Sequence, residues 1–375
     1  MRAWSSPVQT GSYVTDVVLC AFFILFVFMV LVTAYAFLRR LRNNALRDRM
    51  FAHTPAYYHL IQSIQAGQIV SDGEIQAEIP RSDFGVFELY LRERLVTTGT
   101  DPFAERHMAN ACGFLPAVRK KVRRHRNWAK AAHLHMLALL RDPADLDLFL
   151  DVLEHDNHPS CIFAAAIGLA LGGHIASLPR IVARLYNPAT PNRDQLLLVL
   201  AAYGPGRAPD FVGFLPSPDL PDAAAGVLAD ILGSWNHAPA KNALELRLAS
   251  ASDGDLKSHL IAALEIVGDR STCGALRPYL QDPDFRVRLK TINALEHLGG
   301  REFLPEARAL MDDPTPWVRR NAAEVLLRMG DEGRRILEAM AVSSNDEQRP
   351  VAKLALAEDR FGRIRGRFRH AQLPA

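Results

Sequence analysis

Side chains able to bind a metal or move a proton stand at a few places along the 375 residues. Glu154-His155 and Glu296-His297 each set a carboxylate beside an imidazole, donor types that hold iron or zinc. Two such pairs fall short of the ligands a two-metal centre needs. His133 and His135 are two positions apart, so on a helix they point to different faces and cannot pinch one ion. Cys20, Cys112, Cys161 and Cys273 lie far apart without a Cys-x-x-Cys pair, which reads as reduced core or membrane residues. No Gly-x-x-x-x-Gly-Lys phosphate loop, nucleophile elbow or cysteine-histidine signature occurs. The expectation is therefore no catalytic residue, no metal, no cofactor and no enzyme. With 44 Lys+Arg against 41 Asp+Glu, a net charge of +3, total charge selects no partner class.

The elements that must carry these side chains show themselves as a repeat. Asp282-Pro283, Val287-Arg288, Leu295, Leu298 and Gly299 recur at the same spacing as Asp313-Pro314, Val318-Arg319, Leu326, Met329 and Gly330. Val287, Thr291, Leu295 and Leu298 stand at i, i+4, i+8 and i+11, one stripe of an α-helix. A single helix cannot bury such a stripe, so a partner helix and stacked neighbours are required. Asp-Pro suits the turn that opens the second helix, and Gly suits its close. Earlier stripes fall on Trp128, Ala132, Met136, Leu139; Ser160, Ala164, Gly168, Leu171; Asn192, Leu196, Leu200, Tyr203; Pro221, Ala225, Ala229, Leu232; and Leu256, Leu260, Leu264, Val267. Turn signals precede them at Asn157-His158-Pro159, Asn187-Pro188 and Ser217-Pro218, and a degenerate last unit falls around Pro350, Val351, Leu354 and Ala355.

These residues and spacings resemble the HEAT family, including its bacterial short-repeat branch. The resemblance implies an all-α fold, an α-solenoid of about seven helix pairs, with Asp and Arg forming a ladder between units. Asp282 with Arg288 and Asp313 with Arg319 stand where that ladder would. It also implies that second helices line a concave side that binds a protein partner. Arg286, Arg288, Lys290, Trp317, Arg319 and Arg320 are the expected partner-binding set, a large aromatic among guanidinium groups being the composition of an interface hot spot. Two catalytic relatives bear on the alternative reading. Deoxyhypusine hydroxylases hold di-iron with His-Glu pairs, whereas the order here is Glu-His and only two pairs occur. Bilin lyases use similar short repeats, and the likeness stops at the scaffold.

From Val17 to Leu38 no residue is charged, a run long enough to cross a bilayer as one helix. Arg39, Arg40, Arg42, Arg47 and Arg49 follow it, whereas Arg2, the amino terminus and Asp16 precede it. The positive-inside rule places the N-terminus outside and the remainder in the cytoplasm of a cell with an inner membrane. A signal peptide cut near Ala34-Tyr35-Ala36 is the rival, opposed by the length of the run and the arginines behind it.

Residues 53 to 123 read as helical without fitting the repeat. Thr54-Pro55 predicts a helix start, Gly67 its end, Ser71 with Glu74 a capping box, and Asp83 the cap of a helix carrying Phe84, Phe87, Leu91 and Leu95. The expected division is 1–16 extracytoplasmic, 17–38 transmembrane, 39–123 juxtamembrane segment and cap, 124–359 repeats, and 360–375 basic tail. Arg119, Lys120, Lys121, Arg123 and Arg124, with Arg39, Arg40 and Arg42, form a basic set suited to anionic lipid headgroups. Tethering to a membrane argues against nucleic acid as the partner of this set or of Arg360, Arg363, Arg365, Arg367 and Arg369. The expected function is a membrane-anchored scaffold or adaptor that holds a protein partner, in an assembly such as envelope or polysaccharide export. The alternative is an enzyme or enzyme subunit of the HEAT-like lyase or metal-dependent hydroxylase kind.

Overall fold

The computed structural model describes residues 10–98, 101–186 and 192–370, with side chains over 18–96, 101–186 and 192–360. Among them there is no strand, and helices follow one another from Thr10 to His370. They fall into two compact units, one running to His125 with Leu139–Arg141, the other holding Arg126–Ala138 and the chain from Asp142 onward. The turn at Asn187-Pro188, the flank before Thr10 and the side chains of Arg363 to Arg369 lie outside the described residues.

The first unit is built on α1 (Thr10–Gln65), a single helix of 56 residues. Its apolar stretch from Val18 is exposed, whereas Met50, Tyr57, Ile61 and Ile64 further along are buried. No new helix starts at Thr54-Pro55. Thr54 Oγ1 donates to the Met50 carbonyl at 2.8 Å, Pro55 sits inside the helix, and the packing of Tyr57 and Ile61 behind it carries the turn through. Gly67, at φ 74°, closes α1 in a conformation only glycine adopts freely. The unit is completed by α2 (Asp72–Glu78), α3 (Phe84–Thr98), α4 (Phe103–Ala111) and α5 (Phe114–Arg124).

The capping box forms as its spacing requires, Ser71 Oγ accepting from the Glu74 N–H and Glu74 accepting from the Ser71 N–H. Asp83 does not cap α3. It is buried and takes an ion pair from Arg49, tying α3 to α1. Tyr57 meets Phe87 edge-on at 5.5 Å and Tyr90 at 5.1 Å, and Phe114 meets both Phe84 and Phe87 at 5.4 Å. These rings form the unit's centre, and burial pushes the Tyr57 phenol up to about 12.

The second unit is an all-α solenoid. After α6 (Asn127–Leu140), its helices pair as α7 (Leu146–His155) with α8 (Pro159–Leu171), α9 (Leu178–Leu185) with α10 (Arg193–Ala201), and α11 (Ala208–Phe214) with α12 (Asp222–Ser234). The pairs continue as α13 (Lys241–Ser250) with α14 (Gly254–Val267), α15 (Thr272–Leu276) with α16 (Phe285–Gly299), α17 (Leu304–Ala309) with α18 (Pro316–Arg328), and α19 (Asp331–Ala341) with α20 (Gln348–His370). Each first helix packs on its own second helix, and second helices pack on one another in sequence from α8 to α20. The apolar stripes explain that layer. Leu256, Leu260, Leu264 and Val267 are all buried, as are Val318, Ala322, Leu326 and Met329.

At the two ends of the series the register departs from the expected stripe. In α6 Met136 of the expected stripe is buried, together with Ala131, Leu134, Leu137, Ala138 and Leu140, while Ala132 is exposed and Trp128 is 74% exposed. Trp128 lies in the first turn, beside Asn127 at φ 52°, and its ring leans edge-on against His158 at 5.3 Å. Among the described side chains of α20 the buried positions are Ala352 and Ala355, and Leu354 is left in solvent.

Candidate docking face

In α14, α16 and α18 the residue that follows the opening of the buried stripe grips the next unit. In α16 this is Arg288, whose Nε and Nη2 reach the two oxygens of Asp313 at 2.7 and 2.8 Å. Its Nη1 donates to the Asp282 carbonyl at 2.8 Å, so the guanidinium also braces its own turn. The side chains are 11% and 4% exposed. Burial works to raise the Asp313 pKa, but the hydrogen bonds and charge of Arg288, with the Thr315 N–H, hold it below the ordinary carboxylate range. The Asp313 contacts in turn raise Arg288.

In α14 the same position is Lys257, 2.7 Å from Asp282, and in α18 it is Arg319, 3.0 Å from Glu347. Lys130 of α6 makes the matching contact to Asp156 at 2.8 Å. Arg288 and Arg319 were expected on a partner-binding surface; the structure commits them to this internal ladder. Arg288 is buried, and Arg319 spends Nη1 on the Asp313 carbonyl at 2.7 Å.

The remaining four expected residues lie on the exposed side of the second-helix layer, and two of them are paired. Arg286 holds Asp284 at 2.7 Å and reaches back to Asp255 of α14, and Arg320 lies 3.3 Å from both Glu324 and Glu358 of α20. Asp284 is doubly used, because it also caps α16 by accepting from the Arg286 N–H at 2.9 Å. The Arg286 side chain holds its carboxyl below the usual range. Lys290 is exposed and without an ion-pair partner among the described residues, and Trp317 is 65% exposed.

Sequence reasoning missed the charges that knit this face together. Arg328 of α18 donates to Glu296 at 3.0 Å and to Asn293 Oδ1 at 2.8 Å across to α16. Arg193 of α10, Asp230 of α12 and His259 of α14 form a cluster over three successive helices, with His259 Nδ1 2.9 Å from Asp230 and 3.2 Å from Arg193. Gly226 lies beneath it, where a Cβ would come 3.2 Å from the His259 ring. Lys257 could have been found by carrying the Val-Arg register one unit back. Residues as distant in the chain as Arg193, Asp230 and His259 carry no such signal.

The basic set is on the surface. Arg39, Arg40 and Arg42 are exposed along α1, and Lys120, Arg123 and Arg124 are exposed on α5, with Arg119 and Lys121 half-buried. Lys121, Arg123 and Arg124 fill the last turn of α5, where cations suit the helix dipole. α1 is long and apolar enough to cross a membrane.

The Glu-His pairs go elsewhere. Glu154 holds Arg180 at 2.6 Å, Glu296 holds Arg328, and both His155 and His297 are exposed. Among the described residues no three His, Cys, Asp or Glu side chains are placed to hold one metal ion. All four cysteines are free, and burial pushes the Cys112 thiol up to about 11.

Residues 241–328 and 275–357 match the family model of HEAT repeats. No curated protein matches the chain. The matched segment contains three consecutive second helices stacked through apolar stripes, each gripped to the next turn by Lys257, Arg288 or Arg319, and residues 241–357 are accordingly HEAT repeats within an all-α solenoid.

Proposed function

We propose that the chain is a membrane-anchored scaffold or adaptor, acting by binding a protein partner rather than by catalysis. In this reading α1 spans the inner membrane with the N-terminus outside, and the solenoid stands in the cytoplasm. The observation that carries it is Trp317. A tryptophan left 65% exposed at the start of α18, on the same layer as the unpaired Lys290, is large apolar area that a partner could cover. Arg286 and Arg320, already paired with acids of neighbouring helices, would form the polar rim around it.

The test is affinity capture of the full chain from gently solubilised membranes, beside a variant carrying Trp317→Ala and Lys290→Ala. The expected result is a stoichiometric partner that is lost with the variant, whose helical circular dichroism stays unchanged. Recovery of the same partner by both chains would remove Trp317 and Lys290 from the docking face, and recovery by neither would remove the scaffold reading.

A further inference from the structure

Within the first unit a groove of about 260 Å³ lies between α1 and α3. Leu46 and Arg47 line it from α1, and Gly85, Glu88, Leu89 and Arg92 line it from α3. Its level relative to a bilayer is set by α1, because that helix runs unbroken from the apolar stretch into the unit. At 1.5 Å per residue, Asn43, which also touches the groove, stands roughly 8 Å beyond Leu38, and Arg47 stands roughly 14 Å beyond it. The headgroup layer on one side of a bilayer is about 5–8 Å thick, and arginine side chains reach several ångströms back toward it. With α1 spanning a bilayer, the Asn43 end of the groove lies at the outer edge of the headgroup layer and the Arg47 side chain within reach of it.

Its charges are arranged for a zwitterion. Arg47 is exposed and has no ion-pair partner among the described residues. Arg92 donates to Glu88 at 2.8 Å, so two guanidinium groups and one carboxylate surround the apolar Leu46 and Leu89. Guanidinium forks match phosphodiester oxygens, and a carboxylate matches a primary ammonium. The groove is open above Gly85, where a Cβ would meet nothing within 4 Å.

We propose that this groove binds the headgroup of a zwitterionic aminophospholipid, with the phosphodiester between Arg47 and Arg92 and the ammonium on Glu88. The glycerol end lies toward Leu46 and the exposed apolar face of α1. The proposal rests on the reading of α1 as a membrane span.

The experiment uses the full chain in mild detergent, with native mass spectrometry of added phosphatidylethanolamine, phosphatidylcholine and phosphatidylglycerol. The expected result is one phosphatidylethanolamine retained with a preference of about tenfold over each of the others, the scale of one charge-assisted hydrogen bond. Arg47→Gln and Gly85→Leu should each lose that lipid, the second by filling the groove without touching a charge. Gly85→Ala should keep it. Glu88→Gln should keep phospholipid binding and lose the preference for ethanolamine over choline. Equal retention of all three lipids, or a preference that survives both Arg47→Gln and Gly85→Leu, would mean annular lipid only and would overturn the proposal. Should Gly85→Leu fail to fold by thermal melting, the exposed Arg47→Gln still decides. Alkaline extraction of native membranes separates the two levels: release of the chain defeats the span itself, whereas a retained chain without selective lipid defeats the groove alone.

Discussion

The stretch from α14 to α18 and the stretch from α8 to α12 have the same architecture and are held together by different means. In the first, a cation one place after the stripe's opening residue grips the next turn: Lys257 to Asp282, Arg288 to Asp313, Arg319 to Glu347. In the second, that position holds the buried Cys161 in α8 and Arg193 in α10, which turns to Asp230. In α12 it holds Asp222, which takes its partner Arg247 from α13 at 2.8 Å. Close approach at glycines, which both stretches show, stands in the middle without the ladder. Gly168 of α8 faces the ring of Phe149, where a Cβ would lie only 2.6 Å away, and Gly233 of α12 faces the Ala263 backbone of α14 at 3.2 Å. The apolar stripe, shared by both stretches, builds the stack, and ladder or glycine contact is the local way of setting its spacing.

The largest effect should come from the ladder's most enclosed rung. Arg288→Ala leaves the Asp313 carboxylate, 4% exposed, without its cation. Removing one partner of a buried pair costs about 3–5 kcal/mol, and urea melting of the repeats within the full chain is the measurement. The pH dependence gives the sign. Asp313 is lowered when folded, so its stabilisation is present above the ordinary unfolded value of about 3.9 and is lost as pH falls through the lowered folded value. The gap between wild type and variant should thus persist at neutral pH and shrink only in acid. A gap that is flat across that range would show that Arg288 acts through the Asp282 carbonyl rather than through Asp313.

The contrast between the two stretches also explains what could be read from residue order. The regular stretch repeats its turn, ladder and closing glycine, so its period, its second helices and the Asp–Arg link were legible at Asp282, Arg288 and Asp313. In the middle the stripe and a Pro-containing turn survive without the Asp–Arg link, and the helices are placed through Leu196, Leu200, Ala225 and Ala229 with the turn signals before them. In α6 the frame carried back from the later repeats holds at Met136 but not at Trp128 and Ala132, and the chain buries Ala131 and Leu134 instead. Pro55 misled for a related reason. A Thr-Pro pair suits a helix start, but Thr54 can satisfy the Met50 carbonyl from within a continuing helix. On the docking face, residue type was visible and pairing was not. Arg286 and Arg320 reach acids on other helices, Asp255 and Glu358, whose proximity exists only once the helices stack.

A second substitution probes the middle on its own terms. Gly168→Leu gains about 1 kcal/mol of helix propensity but forces a branched side chain against Phe149, itself 3% exposed. Overpacking of this kind costs about 1–3 kcal/mol, so the net change should be a loss, smaller than that of Arg288→Ala and independent of pH and salt. Pairing it with Phe149→Ala, which vacates the space, should recover part of the loss in a double-mutant cycle. If the cycle shows no coupling, the close contact is not what spaces α7 and α8.

The smallest effect belongs to the last rung, and it sharpens the comparison from the other side. Arg319 grips Glu347 at 3.0 Å, but the Glu347 side chain is 69% exposed, and Arg319 keeps its bond to the Asp313 carbonyl whether or not that acid is present. An exposed pair of this geometry contributes about 0.2–1 kcal/mol, and salt screens it. Glu347→Ala should therefore cost under about 1 kcal/mol at low ionic strength and almost nothing in molar salt, while the Arg288→Ala loss stays nearly constant over the same range. Since both rungs occupy the same place in their units, a difference of that size would show that enclosure by the following unit, and not the presence of an ion pair, makes the ladder a structural device. It would also show why this rung holds little: no following helix encloses the Glu347 side chain among the described residues, so its charge stays in water.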